Sequence, residues 1–435
     1  MLRREWLWAF GALLTAAALG MTLPLFVSAV RVAGRHVPQD RIEYDYLVAL
    51  VWATAIAVSI RFWPVAASDK RPLVLIWIAK TFVTLVAMLA YEWNYNLDAY
   101  GYFRRSLLPE MPLSGSAWHR GGDTIASFAW IHGQVLPDSY HALKVTFALV
   151  GLLAIYLIYR GAVHFRGVED RRLLYVLALF PSTLFWSSIV GKDPMHLLGI
   201  ALYCYGVLAW RSTGRLTHVM TLVAGAALAF VIRSWSGPIL LFPLLVFAVT
   251  GLRRPWMRVV FSTLALVAFG LTVSQFAATF NIETLQDVQS VAEARARGWE
   301  GGSAQERSER FTSIRSMLAF APIGAFSALF RPLPGEVRNP FGLLAGMENL
   351  ALLGLLAIAV FRFRLARLRD PAILWAVALV LTWSFVYSFV SYYNFGAAVR
   401  FRLQILPMLL LLLLHFAFGA RQRIDPAGVA RPPAA

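Results

Sequence analysis

Charge is the scarcest ingredient of this sequence. Only 14% of its 435 residues are Asp, Glu, Lys or Arg, too few to cover a soluble protein of that length. Cysteine is almost missing: Cys204 stands alone inside an apolar run, which excludes an internal disulfide framework. No GxGxxG, P-loop, HExxH or CxxC pattern occurs, so soluble-type nucleotide and zinc chemistry have no support, and neither a metal nor a cofactor is expected. A cleavable leader is not expected either. Met1-Leu2-Arg3-Arg4 is basic, but the apolar run from Trp6 to Val30 exceeds the roughly 7–15 residues of a leader's apolar region. It reads as an uncleaved signal-anchor helix.

What the sequence has in quantity is hydrophobic side chains, 59% of the total, with a mean hydropathy of +0.63. A membrane helix needs about 20 mostly apolar residues. Such runs occur near 6–31, 44–63, 72–92, 142–160, 172–190, 194–211, 217–233, 236–252, 258–277, 341–361, 371–391 and 401–419. The expected fold class is all-α: a polytopic transmembrane bundle of about twelve spans forming one integral membrane domain.

The formal charge of +17 is a topology signal. With the N-terminus inside, the inner loops hold 21 of the 40 Lys and Arg residues but only six of the 23 acids. That bias puts both termini in the cytoplasm and removes the nucleic-acid interpretation. Two long connections, about 93–141 and 276–340, then lie outside. The second contains 311–330, apolar but interrupted by Pro322, which reads as an interfacial or re-entrant helix against the outer leaflet. No internal repeat is evident.

The outer helix ends carry unusual polar residues beside Pro and Gly. Lys192 and Asp193 precede Pro194, with Asp193 the expected N-cap of the next helix. A capped turn explains them; so does a helix N-terminus that binds phosphate. Arg400 and Arg402 open the last span against the positive-inside bias and suit a diphosphate, with headgroup snorkelling as the alternative. Arg233 and Arg331 occupy equivalent positions. Asp98, Asp123 and Glu336 are the acids able to act as general base, and the residues alone do not rank them. Glu43-Tyr44-Asp45 is the one close acidic pair of the outer face and a poor metal site. Lys80 and Glu348 lie within spans, where charges are costly, and are expected to pair with each other.

Several of these segments also resemble motifs of a known family. They are Pro181-Ser182 with Phe185-Trp186-Ser187-Ser188 and Gly191-Lys192-Asp193, and Phe330-Arg331-Pro332-Leu333-Pro334 with Glu336 and Asn339. Glu348-Asn349-Leu350 follows, then Asn394-Phe395-Gly396 with Arg400-Phe401-Arg402. Together they resemble bacterial Wzy-type repeat-unit polymerases of polysaccharide assembly and, more loosely, GT-C glycosyltransferases. The resemblance implies an inner-membrane enzyme that takes polyprenyl-phosphate or polyprenyl-diphosphate donors at the periplasmic face. In GT-C enzymes the base is an Asp of the first outer loop, whereas Asp98 follows the third helix.

The combined expectation is an exopolysaccharide or O-antigen-type polymerase. Lys192, Asp193, Arg233, Arg331, Arg400 and Arg402 would form the (di)phosphate site, Asp98 or, failing that, Asp123 or Glu336 would supply the base, and Asn339, Glu348 and Asn394 are further candidates. Its partners would be a polyprenyl-linked oligosaccharide, membrane lipid, and chain-length and export proteins. A single-sugar transferase, a flippase for the same lipid-linked glycan and a non-catalytic assembly subunit are the rivals.

Overall fold

The computed structural model describes residues 21–22, 24–29, 37, 40–95, 98–108, 121–252, 254–297, 304–305, 311 and 313–419. Among the described residues every regular element is helical, apart from one isolated antiparallel bridge between Ala304 and Asn394. Five helices are long and apolar enough to cross a membrane: α1 (Ile42–Phe62), α2 (Ala67–Asn94), α5 (Tyr140–Arg166), α11 (Pro255–Phe280) and α14 (Pro340–Phe361). A sixth span arises if α16 (Phe395–Arg402) and α17 (Leu406–Phe418), bent by 73°, count as one. These helices mark a membrane protein. The first expected span falls mostly outside the described residues.

The chain divides into two compact units. Unit 1 comprises Met1–Ala117, Gly122–Leu149 and Ser188–Gly191. It is built from α1, α2, α3 (Asp98–Ser106), α4 (Gly121–Val135) and the start of α5. The expected outer connection 93–141 is therefore partly helical. Its hydrogen bonds tie the elements side by side: the Tyr46 hydroxyl donates to the Leu85 carbonyl at 3.1 Å, and the Trp77 indole to the Ala53 carbonyl at 2.9 Å.

Unit 2 comprises Trp118–Gly121, Val150–Ser187 and Lys192–Ala435. Here two expected spans change shape. The run 172–190 is two short helices, α6 (Arg171–Leu179) and α7 (Pro181–Trp186). Phe180 is extended and Pro181 opens the second helix, because a proline inside a continuous helix would remove a hydrogen bond and clash with the preceding turn. The run 401–419 starts earlier, as the bent pair α16–α17.

Helices α8 (Lys192–Thr213) and α9 (Leu216–Ile232) pack through small residues. A β-carbon at Gly199 would sit 2.7 Å from the Ala229 nitrogen, and one at Gly225 2.4 Å from the Tyr203 nitrogen. Only glycine permits that backbone approach, as in other membrane helix pairs. Helices α10 (Ser236–Gly251) and α15 (Pro371–Tyr387) complete this packing, and α12 (Leu285–Arg297) precedes α13 (Ile314–Phe330). α13 starts on a reciprocal Ser313–Ser316 capping box and buries Met317, Ala321 and Ala328 while exposing Leu318 and Ile323. At 17 residues it is shorter than the about 20 a span requires.

The basic loops of unit 2 gather at one end. Arg211, in the last turn of α8, pairs with Asp370 at 3.0 Å. Arg367 donates to the Phe416 carbonyl at 2.7 Å and Arg362 to the Ala417 carbonyl at 2.9 Å, satisfying carbonyls that a helix C-terminus leaves open. Asp193 lies at the opposite end of α8, about 27 Å away at 1.5 Å per residue.

Candidate functional site

At that opposite end the structure joins three residues that are far apart in sequence. Asp193, in the first turn of α8, is fully buried. Its Oδ1 accepts from Arg233 Nη2 at 2.8 Å and its Oδ2 from Arg400 Nε at 2.6 Å. Arg233 stands where α9 ends, and Arg400 lies on the short arm α16. One carboxylate thus holds two guanidiniums and leaves the trio with one positive charge. This corrects the expected N-cap: the helix begins at Lys192, and the Asp193 side chain is engaged by arginines. As a carboxylate it holds the two guanidiniums in place.

Aromatic rings pack over the arginines. The Arg233 guanidinium carbon is 4.9 Å from the Phe401 ring centre and 5.6 Å from Trp235, and that of Arg400 is 5.8 Å from Trp186. Such faces attract cations and exclude water. The side chain of Arg400 is 19% exposed against 6% for Arg233, so Arg400 is the member that solvent or a ligand reaches. Arg233 Nε is buried without a partner. Lys192 is partly exposed beside them in sequence.

A second buried ion pair uses the same short arm α16. Arg402 Nη2 donates to Glu348 Oε1 at 3.2 Å and its Nη1 to the Leu329 carbonyl at 2.7 Å. Glu348 Oε2 also accepts from the Ser182 amide at 2.6 Å. The expected Lys80–Glu348 pair is therefore replaced. Glu348 takes Arg402, and Lys80, in unit 1, donates to Ser188 Oγ at 3.0 Å. With both side chains almost fully buried, the Arg402 charge is spent inside the protein.

Arg331 and Glu336 form the third pair. Arg331 Nε lies 2.9 and 3.0 Å from the two carboxylate oxygens, and the Leu333 amide donates to Glu336 Oε2 at 2.7 Å. Burial opposes the charge on Glu336, but the Arg331 and Leu333 hydrogen bonds outweigh it and hold the carboxyl below its usual value. A carboxylate so satisfied is a poor general base. Asn339 and Asn394 cap α14 and α16, accepting from the Gly342 amide at 2.7 Å and the Ala397 amide at 3.0 Å. Asn349 Nδ2 donates to the Pro332 carbonyl at 2.7 Å, and Arg331 packs 4.4 Å from the Phe395 ring centre. Residues from all four singled-out segments thus touch within unit 2.

The remaining acid candidates belong to unit 1. Asp98 is exposed in the first turn of α3. Asp123, in the first turn of α4, is paired with Arg105.

Unit 1 holds further buried polar groups, of which only Asp45 stood out in the sequence. Glu92 accepts from the Tyr140 hydroxyl at 2.8 Å and from Lys144 Nζ at 2.7 Å, all buried. Asp45 accepts from Ser139, from the His141 amide and from the His141 ring, which lies 4.0 Å from the Tyr46 ring. Asp45 is thus tied to a histidine outside the expected acidic pair. Glu92 and Lys144 both lie in expected spans, and the cost argument applied to Lys80 and Glu348 would have found them. Among the described residues no three His, Cys, Asp or Glu side chains gather as metal ligands. Compared with protein-family models, curated proteins and solved structures, the chain matches none.

Proposed function

We propose that the chain is a membrane-embedded glycosyltransferase that uses polyprenyl-(di)phosphate-linked glycans at the periplasmic face of the bacterial inner membrane. Within that class we propose an exopolysaccharide or O-antigen-type polymerase, with about twelve spans and both termini cytoplasmic. The observation that carries this is the Asp193–Arg233–Arg400 cluster: two guanidiniums held by one carboxylate, one of them reachable, with net positive charge. Fixed donors aimed at developing charge are the largest single term in many enzymes. In the proposed step the bond between the sugar's anomeric carbon and the diphosphate oxygen breaks. The diphosphate leaves with the electron pair toward Arg400 and Arg233. The acceptor hydroxyl oxygen bonds to the anomeric carbon, and its proton passes to a carboxylate. Glu336 and Asp123 are already engaged by arginines, whereas Asp98 is exposed; variants of the three acids decide which one acts.

A flippase for the same lipid-linked glycan is the second reading. It is favoured by the buried polar groups of unit 1, where Lys80, Glu92 and Lys144 lie within long apolar helices. Purified protein in liposomes, supplied with a polyprenyl-diphosphate oligosaccharide, separates the two. Glycosidic-bond formation lost in Arg400→Ala supports the transferase. Movement of the lipid across the bilayer without bond formation replaces it with the flippase.

A further inference from the structure

At the basic end of unit 2 lies a cavity of about 230 Å³ between α5, α6, α15 and α17. Its walls are apolar, with Leu173, Trp375, Ala376 and Met408 among them. Its rim carries Arg166, Asp170, Arg172 and His415. Asp170 is already engaged: it accepts from the Arg172 and Leu173 amides and pairs with Arg166 at 3.2 Å. Arg166 is 45% exposed even so. Arg172 is exposed, and its guanidinium enters no ion pair among the described residues. Two arginines against one acid leave the rim positive.

We infer that this cavity binds one acyl chain of an anionic phospholipid, with the lipid phosphate held by Arg166 and Arg172. The walls offer almost nothing to a polar ligand, and an α-helix, about 10 Å across, is too thick to enter. A cationic rim over an apolar slot matches a phosphate on a hydrocarbon chain. The same end carries Arg211, Arg362 and Arg367, as expected where basic loops face the anionic cytoplasmic leaflet. That leaflet assignment rests on the orientation proposed above; the pairing of rim and slot does not. The lipid would brace α5 and α6 against α15 and α17.

The test uses the purified, delipidated full-length protein in detergent, titrated with phosphatidylglycerol or phosphatidylcholine and read by native mass spectrometry and thermal unfolding. Each cation near an anionic lipid contributes about 1 kcal/mol, so phosphatidylglycerol should bind about 30-fold more tightly than phosphatidylcholine and raise the melting temperature more. Arg166→Gln with Arg172→Gln should bring the two affinities level. Ala376→Leu, which fills the slot, should weaken both lipids; Ala376→Ser, which leaves it open, should weaken neither. Equal binding of the two lipids by the unaltered protein would overturn the proposal. So would a preference that survives the double arginine change, or a polyprenyl phosphate that displaces phosphatidylglycerol at lower concentration. None of these readouts involves turnover, so failure of the glycosyltransferase reading leaves them interpretable.

Discussion

Lys144 Nζ meets Glu92 Oε2 at 2.7 Å with side chains only 1% and 4% exposed. Breaking such a pair by removing one partner leaves an uncompensated buried charge, at a typical cost of about 3–5 kcal/mol. Lys144→Met and Glu92→Gln should each lower the folded yield and melting temperature sharply. The double variant should recover most of the loss, since removing both charges is often neutral. Thermal unfolding of the four proteins in one detergent checks this, and a double variant no better than the worse single would refute it.

The Asp193 cluster gives a prediction about shape as well as charge. Arg400→Ala should abolish glycan transfer while the protein stays inserted and abundant. Arg400→Lys should recover little, because a lysine cannot hold Asp193 and a phosphate with one planar fork. Asp193→Asn should also lose activity although it raises the local positive charge, since Arg233 and Arg400 lose their common anchor. Product formation per mole of folded protein is the measurement. Full activity in Asp193→Asn would mean that charge alone matters there.

The acids should rank by how engaged they are. A general base contributes about 10²–10⁴-fold, so Asp98→Asn should nearly stop turnover and spare donor affinity. Asp123→Asn and Glu336→Gln should be milder, acting by releasing Arg105 and Arg331. Rates and donor affinities in liposomes decide it. A near-normal rate in Asp98→Asn would move the base elsewhere.

Glu336 also sets a pH dependence. Its carboxyl titrates below its ordinary 4.5 in the folded protein, so between the two values the unfolded chain binds more protons. The stabilisation is complete above about pH 4.5 and fades as pH falls through the lowered value. The melting-temperature advantage over Glu336→Gln should be constant at neutral pH and shrink below about pH 4.5. An advantage unchanged in acid would show that the ion pair contributes nothing.

The orientation is open to thiol labelling, with the buried Cys204 replaced. Cysteines at Ser303 and Ser116 should react with an impermeant reagent from the periplasm, and cysteines at Ser212 and Ala366 should not. Labelling of position 366 from outside would mean that 311–330 spans the membrane and would overturn the single proposed active face.

Much of the scaffold was legible because apolar length is a strong signal. The long helices α1, α2, α5, α11 and α14 lie where apolar runs of spanning length stand. The break at Phe180 was marked only by Pro181, which is equally at home in a loop, and the 73° bend before Leu406 only by Pro407 in the first turn that follows. At the site, Arg233, Arg331, Arg400 and Arg402 stood out as arginines at apolar helix ends. Which acid each of them meets did not, because pairing is a property of three dimensions. Glu348 sits 54 residues from Arg402, and Asp193 sits 207 from Arg400. Tyr140 and His141 gave no warning, since aromatic and histidine side chains at helix starts are common.

The bend between α16 and α17 makes the eight-residue arm a crank. Arg402, at the elbow, is pinned by Glu348, while Arg400, half a turn out, reaches Asp193. Adding one residue between them would swing Arg400 by about 100° around the helix axis and unhook it, whatever amino acid was added. This corner is therefore constrained in length as well as in chemistry: an insertion of one residue between Arg400 and Arg402 should cost transfer as surely as Arg400→Ala.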